Sequence, residues 1–377
     1  MRYKQKVKIM MVAPHLNLGG GGSERQTIAL ANGLAREGCE VTILLTDKKG
    51  ALTSQLSNEV KVVSCGSRAN FFSRFRFIYK TAKTEKPDIL YSRFWTTKPA
   101  MIFAGKFLGI RTVAAEVSNI EQSLRRWPPV LRNAIGFAKV FCYKIADSVI
   151  VQSNAGRKSL ARLGVRGKTR TIHNGIEIDR IEERSREEAK HRWFDEKIPV
   201  AVSVGRMVQS KGYENLVKTL CVVNSVTPLR LLLIGDGPLR GKIDSKAREL
   251  GVGDKIDFTG SISNPHKYAV KCDIFICSSL FEGFSNSLLE AMVLGLPVVS
   301  TNHNFGASEI IENDRSGILV PVGDSEKMAE ATLMMLRDRT LATKLGEEAR
   351  KRVREFSVEK MIRENLRIFR EIQEKRT

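Results

Sequence analysis

The 377-residue chain has few cysteines and no long apolar run. Its six cysteines include no C-x-x-C pair, which argues against a zinc site or a disulfide framework and indicates reduced, cytosolic thiols. The longest apolar stretches, 100–110 and 199–204, are interrupted by Lys106 or far shorter than the roughly 20 residues that a transmembrane helix needs. A basic N-terminus leads directly into a strand-like run at 7–13 without a signal-peptide cleavage pattern. We therefore expect a cytoplasmic protein that is not secreted.

Acidic residues are scarce in the first half of the chain. The formal net charge is +21, of which residues 1–180 carry +19 and residues 181–377 carry +2. Residues 61–170 alone contain 22 basic and 5 acidic side chains. Such asymmetry indicates that one surface meets an anionic partner, which could be phospholipid headgroups, a polyanionic acceptor or nucleic acid.

Short apolar runs alternate with helical patterns in two successive series. This alternation predicts an α/β protein with parallel sheets and right-handed crossovers, folded as two doubly wound, Rossmann-like domains. We place the domains at 1–180 and 197–356, and a charged C-terminal helix at 357–377. The strand candidates lie at 7–13, 41–45, 60–63, 89–91, 112–115 and 148–151, and then at 199–204, 229–234, 255–258, 274–277, 297–300 and 317–320.

A run of four glycines, residues 19–22, separates the first strand from the first predicted helix. Ser23 and Gln26 fit an S-x-x-Q capping box, which predicts that the helix begins there. The backbone at Gly20 and Gly21 can approach a ligand closely, and the helix N-terminus favours an anion. The G-x-G-x-x-G pattern of dinucleotide-binding proteins is not clearly matched, so we expect no such cofactor. A loop without a ligand is the alternative.

Two cations follow the predicted strand at 199–204. Arg206 and Lys211 lie on the loop that leaves the carboxyl edge of this strand, where open α/β sheets bind ligands. Arginine can grip a diphosphate with its bidentate fork, and lysine can act as a point charge. The pair therefore suggests a diphosphate site, although two solvated loop charges would look the same.

Two glutamates flank a predicted helix start after the strand at 274–277. Ser285 or Asn286 would cap a helix that runs to residue 294, and the N–H groups of residues 284–287 can bind phosphate. Glu282 would lie in the preceding loop and Glu290 in the second helical turn. Their carboxylates can accept hydrogen bonds from hydroxyl groups on either side of that phosphate. Two solvated surface acids are the alternative.

Taken in order, these motifs resemble a family-4 retaining glycosyltransferase of the GT-B fold, over nearly the whole chain. The resemblance implies two Rossmann-like domains facing a cleft, with a nucleotide-sugar donor mainly on the second domain and the acceptor on the first. It also implies that the C-terminal helix crosses back to the first domain. The resemblance rests on five motifs: the Gly-rich loop with Glu24-Arg25, the Ile-His-Asn-Gly-Ile run at 172–176, Gly205-Arg206 with Lys211-Gly212, the Ile-Gly-Asp-Gly-Pro run at 234–238, and Glu282-x7-Glu290.

The same resemblance implies roles for individual residues. Arg206 and Lys211 would neutralise the donor diphosphate, Glu290 would bind the ribose and Glu282 the donor sugar. The base would rest on backbone near Ser261-Ile262. The helix start described above, not the resemblance, assigns phosphate contacts to the backbone at Phe284, Ser285 and Asn286.

One position departs from the family. Many relatives have a histidine or basic residue after the strand at 112–115, where this chain has Glu116-Val-Ser-Asn; we interpret Glu116 as a partner of the acceptor hydroxyl. An Asp-x-Asp motif is also missing. Since Arg206 and Lys211 supply positive charge instead, we expect no metal and no other cofactor.

Aromatic and basic residues interleave at 71–80 and 124–144, a pattern that suits helices lying on anionic lipid. A core-facing aromatic stripe is the alternative, and nucleic acid is not expected because no known module is present. The sequence thus predicts a metal-independent retaining glycosyltransferase at the cytosolic membrane face. It would use a UDP-sugar and a polyprenyl-diphosphate-linked or envelope-glycan acceptor. Alternatives are a GT-B sugar-nucleotide epimerase, or a basic membrane- or nucleic-acid-binding protein with a degenerate donor site.

Overall fold

The computed structural model describes residues 6–17, 22–47, 50–66, 70–117, 120, 124, 127–303 and 306–374. The chain forms two compact units. The first comprises Met1–Gly175 together with Val358–Thr377, and the second comprises Ile176–Ser357. The division at Gly175 lies ahead of the segment 180–197 in which we expected it, because residues from Ile178 onward already form a helix of the second unit.

A seven-stranded parallel sheet forms the centre of the first unit. Its strands lie in the order β3-β2-β1-β4-β5-β6-β7. Strand β7 was not anticipated, because its three residues are mainly polar. The strands are β1 Lys8–Ala13, β2 Glu40–Leu45, β3 Lys61–Ser64, β4 Ile89–Ser92, β5 Arg111–Glu116, β6 Ser148–Val151 and β7 Thr169–Thr171.

A six-stranded parallel sheet forms the centre of the second unit, in the order β10-β9-β8-β11-β12-β13. Each predicted strand of the second series is present, with ends that differ from the prediction by at most two residues. These strands are β8 Val200–Val204, β9 Arg230–Ile234, β10 Ile256–Gly260, β11 Ile274–Cys277, β12 Val298–Thr301 and β13 Ile318–Val320.

Helices connect the strands. Those of the first unit are α1 Gly22–Arg36, α2 Phe71–Glu85, α3 Lys98–Leu108, α4 Pro129–Ile145, α5 Asn154–Arg162 and α14 Val358–Glu374. Those of the second unit are α6 Ile178–Ser185, α7 Tyr213–Asn224, α8 Arg240–Glu249, α9 His266–Ala269, α10 Asn286–Val293, α11 Ala307–Ile310, α12 Ser325–Arg337 and α13 Arg339–Arg352.

The C-terminal helix α14 belongs to the first unit, as predicted. It buries Met361, Ile362, Leu366 and Phe369 in the core that includes α1 and β1. Contact with α1 is close at Gly33, where a Cβ atom would lie 2.0 Å from the Ile362 side chain. A larger residue at this position would push the two helices apart.

Both sheets have apolar cores on their two faces, which is how parallel sheets are stabilised. In each sheet the strand order reverses beside the first strand, so the carboxyl ends of β1 and β4, and of β8 and β11, flank a switch point where such folds bind ligands. The expected α/β fold with two Rossmann-like domains is therefore confirmed. None of the helices in the described ranges is both long and apolar enough to span a bilayer.

Candidate functional site

Two of the predicted site residues meet at the switch point of the second sheet. Lys211 ends a short 3-10 turn after β8, and Glu282 lies in the loop after the neighbouring strand β11. The Lys211 Nζ atom donates to Glu282 Oε1 over 2.9 Å. A charge-assisted hydrogen bond of this length between largely buried groups fixes both side chains.

Backbone contacts hold these two loops together. The Ser278 hydroxyl donates to the carbonyl of Lys211 over 2.8 Å, and the Leu280 amide donates to that of Ser210 over 2.8 Å. Gly212 lies between them with φ +63°, and a Cβ atom there would approach the Ser278 carbonyl to 2.2 Å. Only glycine combines this left-handed conformation with so close an approach. The Lys-Gly dipeptide of the sequence therefore places Lys211 against the β11 loop.

The environment keeps both members of this ion pair charged. Burial acts to raise the pKa of Glu282, but the Lys211 ammonium, the nearby His303 and a hydrogen bond from Ser279 outweigh it, so the pKa falls below its usual range. Burial likewise acts to lower the pKa of Lys211, and the Glu282 carboxylate is foremost among the groups that raise it instead. At neutral pH the site thus presents an ionised carboxylate beside a protonated amine.

Arg206 lies on the same loop as Lys211 but does not contact it. Its side chain is exposed and forms no ion pair with any residue in the described part of the chain. Glycines of the β9 loop support its backbone, because a Cβ atom at Gly237 would lie 2.5 Å from the Met207 carbonyl. The Met207 amide donates to the carbonyl of Asp236 over 2.9 Å. The Gly-Asp-Gly motif thus holds the Arg206 loop and leaves the guanidinium in solvent.

Helix α10 begins at Asn286 with Ser285 as its N-cap residue. The Ser285 side chain makes no capping hydrogen bond and instead lies 3.4 Å from the Ser287 hydroxyl. The Phe284 ring packs edge-on against Phe356 at 5.4 Å between ring centroids, so the ring belongs to the core. The predicted helix is confirmed over Asn286–Val293, and any ligand contact at Phe284 falls to its backbone. Half-buried Ile262, after β10, also packs against the core.

Glu290 lies in the second turn of α10, as predicted, and is mostly buried. Its Oε2 atom is 3.4 Å from Nε2 of His266, the first residue of α9. No pattern in the sequence pointed to this histidine. The contact restricts the Glu290 carboxylate, as expected for a group that presents a fixed oxygen to a ligand.

A small cavity opens between the carboxyl ends of β8 and β11. Tyr213 and Phe275 are among the residues that line it. Lys211 projects into its wall, so a ligand there would meet this ammonium. The other lining residues are Ser203, Val204, Cys277, Ser278, Ser279 and Ser287.

In the first unit, the predicted capping box is wrong. Helix α1 begins at Gly22, so Ser23 lies inside it, and Gln26 does not turn back to cap it. The Gln26 amide instead donates to the carbonyl of Gly175 over 2.7 Å and accepts from its amide over 3.2 Å. This contact, with a partner 149 residues away, outcompetes a local cap. Gly20 and Gly21 lie outside the described residues.

Glu116 is the last residue of β5, and its surroundings do not fit the predicted role at an acceptor hydroxyl. The carboxylate is buried, and its Oε2 lies 3.5 Å from Lys98 Nζ and 3.8 Å from Lys139 Nζ. The same oxygen accepts a hydrogen bond from the hydroxyl of Tyr143. Burial lowers the pKa of Lys98 to about 8 despite the carboxylate. Glu116 thus neutralises two buried lysines. Neither contact was predicted, because both lysines are distant from Glu116 in the sequence.

Two further residues of the second site were missed. The hydroxyl of Ser279 donates to Glu282 Oε1, and His303 follows β12 at the same sheet edge. The reasoning that selected Arg206, namely a polar residue just beyond the carboxyl end of a parallel strand, selects His303 as well.

Two protein families match successive parts of the chain. Residues 20–180 match the family described as Glycosyltransferase Family 4. Residues 184–352 match Glycosyl transferases group 1. Together the two matches cover the chain except for residues 1–19, 181–183 and 353–377.

Two relatives come from Campylobacter jejuni. One, an N-acetylgalactosamine-N,N'-diacetylbacillosaminyl-diphospho-undecaprenol 4-alpha-N-acetylgalactosaminyltransferase, is 31% identical over 53% of each chain. The match therefore spans about half the length of that protein. The other is a GalNAc-alpha-(1->4)-GalNAc-alpha-(1->3)-diNAcBac-PP-undecaprenol alpha-1,4-N-acetyl-D-galactosaminyltransferase. It is 26% identical over 97% of this chain and 99% of its own.

A solved structure also matches across both units. The Anabaena protein Alr3699/HepE in complex with UDP superposes with a TM-score of 0.78 at 19% identity, covering 97% of this chain and 100% of the other. At this level of identity the match concerns the fold.

Proposed function

The chain belongs to the family-4 glycosyltransferases of the GT-B fold, and from this premise we propose that it transfers a sugar from a UDP-sugar to a lipid-linked or envelope-glycan acceptor. The transfer retains the configuration at the anomeric carbon, needs no metal ion and takes place at the cytosolic face of a membrane. Donor binding belongs to the second unit, and acceptor binding and membrane contact to the first.

The observation that carries the proposal is the Lys211–Glu282 pair beside the start of α10. An ammonium group and a helix N-terminus attract a diphosphate, and an ionised carboxylate accepts hydrogen bonds from sugar hydroxyls. All three stand at one edge of one sheet, joined by the loop contacts of Ser278 and Leu280. A nucleoside diphosphate sugar carries both the anion and the hydroxyls.

Metal-free stabilisation of the leaving diphosphate is supported by the cations available. Arg206 is exposed on the loop that Lys211 ends, with no carboxylate paired to it among the residues that the structure describes. A preorganised cation acts where charge develops in the transition state. The sequence has no Asp-x-Asp motif to hold a divalent ion there. The choice of UDP is supported by the structural relative solved with UDP.

The lipid-linked acceptor is supported by the names of the two Campylobacter relatives, both of which act on undecaprenol-linked diphospho-glycans. Such an acceptor is anchored in a bilayer, so the enzyme must reach the membrane surface. The strongly positive first half of the chain matches an anionic bilayer of this kind.

A face of the first unit is suited to that contact. Helices α2, α3 and α4 contain nine basic residues and one acidic residue, and all the basic residues except Lys98 and Lys139, which are buried beside Glu116, lie at least partly exposed. Helix α4 exposes an apolar stripe with Phe137 at 75% and Phe141 at 45%, while Phe72 on α2 and Phe107 on α3 are also exposed. Cations attract anionic headgroups, and exposed aromatic rings enter the interface. We call these three helices the docking face, and its occupant is an anionic bilayer.

A reconstituted reaction tests the function. The purified chain is screened for thermal stabilisation by UDP, GDP and ADP sugars, then supplied with the preferred donor and an undecaprenyl-diphosphate-linked sugar. We expect UDP release only when the acceptor is present, an unchanged rate in EDTA, and an α-linked product from an α-linked donor by NMR. Interconversion of the donor without acceptor would identify an epimerase instead, and an EDTA-sensitive rate restored by Mg²⁺ would contradict the metal-free mechanism.

A further inference from the structure

His303 is a buried imidazole that nothing in the described part of the chain satisfies. It follows β12, and its side chain is 1% exposed. Neither Nδ1 nor Nε2 has a hydrogen-bond partner among the described residues. An unpaired buried polar group destabilises a fold, whereas an apolar side chain of similar shape does not. Packing alone therefore gives no reason for a histidine at this position.

The loop that carries His303 is packed against the loop that carries Glu282. The Thr301 hydroxyl at the end of β12 contacts the carbonyls of Cys277 and Ser279 at the end of β11. Beyond His303, a Cβ atom at Gly306 would lie 2.8 Å from the carbonyl of Gly283. The imidazole is thus held beside the loop that contains Glu282, and the two side chains interact electrostatically.

The charge state of the imidazole follows from its position. Burial lowers the pKa of His303, and the Glu282 carboxylate and the residue's own backbone, which act in the opposite direction, do not compensate; Lys211 lowers it further. The ring is therefore neutral at neutral pH, with one nitrogen that donates and one that accepts. A hydroxyl group, which also both donates and accepts, is the matching ligand.

We propose that His303 hydrogen-bonds a hydroxyl group of the donor sugar beside Glu282, and that the two residues together orient the sugar ring. This inference rests on the proposed function and adds the sugar subsite to it. Glu282 is ionised and can only accept, so it binds a second hydroxyl. Two hydrogen-bonding partners of different character fix the orientation of the sugar ring.

Binding measurements separate this role from packing. The affinities of the wild type, His303→Leu and His303→Gln are measured by calorimetry for UDP, UDP-glucose and UDP-N-acetylglucosamine. We expect all three proteins to bind UDP alike, because the histidine does not touch the nucleotide. His303→Leu should lose about tenfold in affinity for the preferred UDP-sugar, the equivalent of one hydrogen bond, and His303→Gln should recover part of it. The matched control is His191→Gln, a histidine of the same unit that bonds Asp257.

A second measurement does not depend on the variants folding. In the unmodified chain labelled at histidine with ¹⁵N, the imidazole signals of His303 should shift when the UDP-sugar is added and stay in place with UDP. An unchanged sugar affinity in His303→Leu, or imidazole signals that respond to UDP and UDP-sugar alike, overturns this inference alone. If the wild type binds none of these ligands, the proposed function fails and the inference fails with it.

Discussion

The two sheets end in similar edges that hold different arrangements of charge. At the edge of the first sheet, Glu116 is buried between Lys98 and Lys139, so its carboxylate contacts other buried side chains. At the edge of the second, the Lys211–Glu282 pair borders a cavity, and Arg206 stands exposed beside it. A buried charged group with protein partners stabilises the fold, whereas a charged group that solvent can reach is able to bind a ligand. The solvent exposure of the side chain distinguishes the two cases.

The same contrast extends to the outer surfaces. The first 180 residues carry almost all of the excess positive charge, whereas the half that contains the candidate donor site is nearly neutral. Binding of a nucleotide sugar requires a few cations at fixed positions around the diphosphate. Binding to an anionic membrane is strengthened by many cations distributed over a surface. The uneven charge is therefore what we expect if, as proposed, the second unit binds the donor and the first contacts the membrane.

The largest expected effect comes from breaking the buried group at the first edge. Glu116→Gln leaves Lys98 and Lys139 without their shared carboxylate, and removal of one partner from a buried pair typically destabilises a protein by about 3–5 kcal/mol. Urea unfolding should show a loss of this size in the free energy of unfolding. Asp254→Asn, whose pair with Lys255 is exposed, should show no measurable change. A stable Glu116→Gln variant that has lost turnover would restore Glu116 as a partner of the acceptor.

The next largest effect is on turnover and comes from removing the cations at the edge of the second sheet. Arg206→Ala and Lys211→Ala should each reduce the turnover number by about two orders of magnitude or more, because each removes charge that stabilises the leaving diphosphate. Steady-state kinetics with the preferred donor measures this. Lys218→Ala, at an exposed lysine of α7, serves as the control and should retain turnover. Near-wild-type turnover in both site variants would remove these residues from the mechanism.

The positions of most strands along the chain and the loops of the second site could be predicted because both depend on local patterns. An apolar run marks a buried strand, and a polar residue just beyond it marks the ligand edge, which selected Arg206 and Glu282. The contact of Gln26 with Gly175 and the lysines around Glu116 could not be predicted, because their partners are distant in sequence. Strand β7 was missed because its edge position lets it keep polar residues.

A third effect should appear as a dependence of stability on pH. The pKa of Lys98 is about 8 in the folded chain and about 10.5 when unfolded, so between these values the unfolded state binds more protons. The free energy of unfolding should therefore rise with pH, by about 1.4 kcal/mol per unit well above pH 8 from this group. Urea titrations at pH 7.5 and 9.5 should show this gain in the wild type and not in Lys98→Met. An equal response in both proteins would mean that Lys98 titrates normally.

The smallest expected effect tests the docking face. Arg74, although basic, is paired with Asp47, so the useful cations of α2 are the exposed Arg76 and Lys80. Each cation near an anionic surface contributes about 1 kcal/mol, so Arg76→Ser and Lys80→Ser should each weaken binding to phosphatidylglycerol vesicles about fivefold. Donor affinity should not change, which the calorimetric assay can confirm.

Salt separates the two components of this binding. At 1 M salt the screening length falls to about 3 Å, so the contribution of the cations should disappear. Burial of Phe137 and Phe141 is not screened, so a residual, salt-resistant binding should remain in the wild type and be lost in the Phe137→Ser/Phe141→Ser double variant. Equal vesicle binding in all variants would contradict the docking face. Tight RNA binding without vesicle binding would contradict it as well. In either case the positively charged half of the chain binds a partner other than the membrane.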